Sequence, residues 1–109
     1  MRIYAASVAE DAGFAVIEAG SAGDAIKILE SRPDIRVVFT DIEMPGSMDG
    51  LKLAKAIRDR WPPIEVIVTS GLRLVGANDL PTRARFFSKP YDGVEVGRVM
   101  RELVSSRVV

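Results

Sequence analysis

Three stretches of this chain remain apolar at consecutive positions, and that constrains its fold more than any other feature. Val37-Val38-Phe39, Val66-Ile67-Val68 and Phe86-Phe87 do not alternate with polar residues as a half-solvated strand would. Strands of this kind are buried on both faces, which is the condition of a parallel sheet covered by helices. The segments between them have helical periodicity. Ser21-x-x-Asp24 is a capping-box-like start, and Ala22, Ala25, Ile26 and Leu29 follow at helical spacing until Pro33. A helix from Gly50 to Arg60 sets Leu53, Ala54, Ile57 and Trp61 on one face. Asp92 with Glu95 opens a last helix, with Val96, Val99, Met100 and Leu103 toward the core.

The remaining elements complete an alternating order. A first helix runs to about Ala12 and stops at Gly13, and Phe14 to Ala19, "FAVIEA", reads as a short strand. Residues 71–82 lack clear periodicity and are expected to form a short or irregular helix. The predicted class is α/β, one domain over residues 1–109, with no internal repeat or linker.

Composition removes several classes of function. The chain has 15 basic and 15 acidic residues, so it lacks the basic excess that marks a nucleic-acid binder. It contains no cysteine and no histidine, which removes disulfides, thiolate and Ser-His-Asp chemistry, and His- or Cys-ligated zinc. No apolar run approaches the ~20 residues of a membrane helix, and a cytoplasmic location is expected.

Parallel strands bring their carboxyl ends to one edge, where α/β sheets bind ligands. Here those ends carry Asp41, then Thr69-Ser70-Gly71, then Lys89-Pro90. Singly, each has a plain reading: a turn aspartate, a turn hydroxyl, a solvated lysine. Together they form a set with a chemistry. A carboxylate can attack phosphorus, while an ammonium and a hydroxyl hold phosphoryl oxygens.

The stretches "VVFTDIEMPGSMDGLKLA", "VIVTSG" and "FFSKPY" resemble the signature segments of receiver domains of two-component response regulators. The resemblance implies a doubly wound, flavodoxin-like fold. It implies that Asp41 is the phosphoacceptor, Ser70 the switch hydroxyl, Lys89 the phosphoryl-binding lysine and Phe86 the aromatic switch residue. Met44-Pro45 and Asp49-Gly50 match the family's loop and helix start, with one apparent extra residue in "PGSMDG". Mg²⁺ would be held by Asp41 and by the backbone carbonyl of Glu43. The partners implied are a sensor histidine kinase or phosphotransfer protein, and a downstream protein that reads the last helix-strand-helix face; no nucleic acid or membrane is implied.

The family opens with a strand bearing two acids that complete the Mg²⁺ site. The sequence begins within the first helix, so the expectation is a receiver lacking that strand, with Mg²⁺ binding weakened and a dimer or strand-exchanged association possible. Glu10-Asp11 lies at the far end of the first helix and is not read as the missing pair. Two other readings stay open: a degenerate receiver that binds partners without phosphate, and a small phosphatase of the haloacid dehalogenase type.

Overall fold

The computed structural model describes residues 2–43, 49–71, 80–81 and 83–105. Along these, the order is α1 (Arg2–Asp11), α2 (Ala22–Ser31), β1 (Val37–Asp41), α3 (Gly50–Arg60), β2 (Glu65–Ser70), β3 (Arg85–Ser88) and α4 (Gly93–Ser105). The chain divides into two compact units, one comprising residues 1–18 and 90–109 and the other Ala19–Lys89.

The second unit holds the sheet. Its three strands run parallel in the order β1-β2-β3, with Asp41 opposite Thr69 and Ser70 opposite Ser88. Every residue of the central β2 is buried, as its unbroken apolar run requires. Val66 and Val68 pack with Ala22 and Leu29 of α2, with Leu53, Ala54 and Ile57 of α3, and with Ile42 and Ile64. This cluster anchors α3 against the sheet.

Both helix starts in this unit are capped as their sequences require. The Ser21 hydroxyl accepts from the Asp24 N–H, and the Asp49 carboxylate accepts from the Lys52 N–H. Each satisfies a donor that the first helical turn leaves without an intrahelical partner. The far end of the sheet is tied by arginines. Arg58 and Arg83 both donate to the Pro62 carbonyl, and Arg83 also lies 3.5 Å from the buried Glu65 carboxylate.

In the first unit, α1 ends at Gly13, whose φ of +98° is the left-handed geometry that suits glycine at a helix C-terminus. The Phe14 N–H closes back on the Ala9 carbonyl. Helices α1 and α4 approach closely, and a Cβ on Gly97 would lie 3.2 Å from that of Ala12. The Asp92 carboxylate accepts from the Val94 N–H at the start of α4.

The expected strand at Phe14–Ala19 does not form. The segment is irregular and joins no ladder, and Ile17 is largely exposed. A strand exists through its pairing, and among the described residues this segment has no ladder partner, so β-propensity alone does not make it one. The irregular helix expected over 71–82 falls mostly outside the described residues, as do Met44 and Pro45. No helix among the described residues is long and apolar enough to cross a membrane.

Candidate functional site

The three strand ends meet because their ladders continue one step past the strands. The Ile42 N–H donates to the Thr69 carbonyl and the Lys89 N–H to the Ser70 carbonyl, each at 2.9 Å. Asp41, Ser70 and Lys89 are thereby held along one edge.

Asp41 is partly buried and forms the centre. The Lys89 ammonium lies 2.7 Å from its Oδ1, and the Thr69 hydroxyl donates to the same oxygen at 2.6 Å. Burial by itself would raise the carboxyl's pKa. The hydrogen bonds from Lys89 and Thr69 and the nearby positive charge outweigh it, so the pKa falls below the ordinary 3.8. Asp41 is therefore ionised at neutral pH, the form that can attack phosphorus.

Ser70 lies in the same edge but serves another acid. Its hydroxyl, fully buried, donates to Glu43 Oε2 at 2.6 Å, and the Gly71 N–H reaches Glu43 Oε1 at 3.3 Å. The two adjacent hydroxyls of β2 are thus divided between two carboxylates, Thr69 to Asp41 and Ser70 to Glu43. The sequence offers Thr69 only within Thr69-Ser70-Gly71, with no role separate from that of Ser70. The parallel register places Thr69 directly across from Asp41. Phe86 on β3 is half-buried against the α2–α3 side of the core, away from neither solvent nor packing.

Gly50 sets how near α3 comes to this edge. Its N–H donates to the Ile42 carbonyl at 3.1 Å. A Cβ at this position would lie 2.0 Å from the Asp41 carbonyl oxygen and 2.6 Å from its carbon. Only a residue without a side chain permits that approach.

Mg²⁺, implied by the resemblance, takes a near-octahedral set of oxygens and is usually bound through one or two carboxylates. In this structure Asp41 Oδ1 is engaged by an ammonium and a hydroxyl, and the Glu43 carboxylate turns to Ser70 and Gly71. Glu10 and Asp11 are exposed at the end of α1. Among the described residues no group of three or more acids, histidines or cysteines could hold a metal. These residues do not by themselves form the cation site.

Known proteins resemble this chain over most of its length. The response regulator receiver protein CpdR of Brucella abortus (strain 2308) is 31% identical over 94 residues, which cover 84% of this chain and 77% of that protein. The sensor kinase CckA of the same organism is 30% identical over 99 residues, 87% of this chain but only 10% of that much longer protein. A solved response regulator receiver protein from Sinorhizobium medicae WSM419 superposes with a TM-score of 0.87 at 26% identity, covering 96% of this chain and 86% of that one. Residues 1–93 match the family described as the response regulator receiver domain. With a parallel α/β sheet of the flavodoxin-like type, and an aspartate and a lysine paired at its carboxyl edge, the chain belongs to the receiver domain family of two-component response regulators.

Proposed function

We propose that this receiver takes a phosphoryl group onto Asp41 from the phosphohistidine of a sensor histidine kinase or phosphotransfer protein. The observation that carries the reading is the Asp41–Lys89 pair at 2.7 Å, at the end of a strand and beside the Thr69 hydroxyl. A carboxylate oxygen of Asp41 attacks phosphorus, the bond from phosphorus to the donor's imidazole nitrogen breaks, and the electron pair leaves with that nitrogen. The product is an acyl phosphate. Lys89 offsets the negative charge of the transferring group, which is the main contribution a protein makes to phosphoryl transfer.

The phosphorylated aspartate carries about −1.5 to −2 charges at pH 7 where the free carboxylate carried one. Lys89 and the hydroxyls then face a larger and more highly charged partner, and Ser70 is in position to become one of its donors. Phe86, packed on the strand that precedes Lys89, transmits that rearrangement to the surface read by a downstream protein. Mg²⁺, which the family uses, would supply further charge stabilisation when bound. The chain acts in this account as a cytoplasmic signalling module over residues 1–109.

Intact mass after incubation with a small-molecule phosphodonor and Mg²⁺ tests the reading. The wild-type chain should gain one phosphoryl group and Asp41→Ala none. Failure of both to gain it, with partner binding retained, would leave the phosphate-independent receiver as the better account.

A further inference from the structure

We infer that the Glu43 carboxylate is an internal ligand of the phosphoryl site, occupying the donors that an incoming phosphoryl group needs until it is displaced. The inference rests on Asp41 being the phosphoacceptor, and goes beyond that by giving the neighbouring acid a role of its own through its side chain.

The argument is a count of hydrogens. A serine hydroxyl has one hydrogen to donate, and a backbone amide has one. At the strand edge, the Ser70 hydroxyl donates to Glu43 Oε2 at 2.6 Å and the Gly71 N–H to Glu43 Oε1 at 3.3 Å. One carboxylate therefore accepts both, with an oxygen for each, as two oxygens of a phosphoryl group would. Ser70 is fully buried, so its hydrogen cannot readily be turned toward water instead. Glu43, by contrast, is exposed, so its carboxylate can exchange these donors for water. The buried half of the contact is fixed and the exposed half is removable, which is the arrangement of a displaceable stopper.

Charge gives it a direction. An anion entering beside Asp41 meets the Lys89 ammonium, but it also meets the Glu43 charge, and the two anions compete for the same donors. Gly71 and Lys89 lie side by side at this edge, since a Cβ on Gly71 would meet the Lys89 side-chain stem at 3.6 Å. Glu43 acts here as a positioning residue. It holds Ser70 and Gly71 aimed at an acceptor and keeps free anions out.

The test is titration of the unphosphorylated protein with inorganic phosphate, followed by the amide resonance of Gly71, for wild type, Glu43→Ala, Glu43→Gln and Glu43→Ala/Ser70→Ala. No phosphotransfer is needed, so the outcome is independent of whether Asp41 is ever phosphorylated. Glu43→Ala should bind phosphate at least about tenfold more tightly than wild type, a difference of ~1.4 kcal/mol. Glu43→Gln, which keeps the shape without the charge, should fall between them, and removal of Ser70 should abolish the gain. Glu43→Gln also serves if the alanine variant fails to fold. Equal phosphate responses in wild type and both Glu43 variants would overturn the inference, as would a gain that persists without Ser70. A phosphate gain in a chain that never labels at Asp41 would sustain the stopper and refute the phosphoacceptor.

Discussion

In a Gly50→Ala variant the new methyl carbon would sit 2.0 Å from the Asp41 carbonyl oxygen, 2.6 Å from its carbon and 2.9 Å from Ile42 Cα. Cβ atoms essentially never come within 3.0 Å of another heavy atom, so the deficit at the carbonyl is about 1 Å. All three neighbours are backbone, and no side chain can rotate out of the way. Either the first turn of α3 lifts from the sheet or the end of β1 moves. The first loosens Leu53, Ala54 and Ile57 from the core, and the second shifts Asp41 relative to Lys89 and Thr69. Overpacking of this sort costs ~1–3 kcal/mol, and alanine's better helix propensity returns at most ~1 kcal/mol. A net loss of about 2 kcal/mol lowers the melting temperature of a domain this size by roughly 8–16 °C. Misplacement of a reacting group by ~1 Å can cost about 10²-fold in rate. The assay is a thermal melt together with the initial rate of phosphoryl gain from a small-molecule donor. Gly23→Ala is the control, since a Cβ there meets only the Ser21 hydroxyl oxygen at 3.8 Å. It should melt no lower than wild type and label at the wild-type rate. A Gly50→Ala protein indistinguishable from wild type in both measurements would refute the close-approach argument.

Other consequences follow from the same geometry. The Asp41 pKa is depressed in the folded chain, so its stabilising contribution is complete above the unfolded value near 3.8 and is lost as pH falls through the lower folded value. Lys89→Met keeps the aliphatic stem but removes the charge. The Asp41 midpoint, followed by carboxyl carbon NMR, should then move up, and an unmoved midpoint would show that Lys89 does not hold it down. Ile57 is fully buried in the α3 face, and Ile57→Ala should cost ~2–5 kcal/mol in chemical denaturation. Asp49→Ala removes the acceptor for the Lys52 N–H and should cost about 0.5–2 kcal/mol, with Asp49→Ser retaining most of the stability.

The sheet was legible in the sequence because each paired strand carries an apolar run, although only β2 is buried throughout, β1 being mostly half-buried and β3 half-buried with exposed ends. Val66-Ile67-Val68 can only be a central strand, and it is one. Helix starts were legible where a single side chain makes the cap, so Ser21 and Asp49–Gly50 fall at the residues their chemistry suggests. Phe14–Ala19 misleads for the complementary reason. Its pattern suits a strand, but a strand needs a neighbour, and pairing is not a local property. At the candidate site, Asp41 and Lys89 stood out because their strands end on them. Glu43 was legible only through its backbone carbonyl; the side-chain pairing of Thr69 with Asp41 and of Ser70 with Glu43 was not, since which of two adjacent hydroxyls faces which acid depends on register between residues 28 and 27 positions apart.

The most direct measurement of the central claim is the location of the phosphoryl group. Reducing the labelled protein with borohydride converts an aspartyl phosphate to homoserine, and peptide mass mapping then reports the position. The account predicts conversion at Asp41 and at no other residue. Conversion at Glu43, at another acid, or at none in a protein that had gained the phosphoryl mass would contradict it.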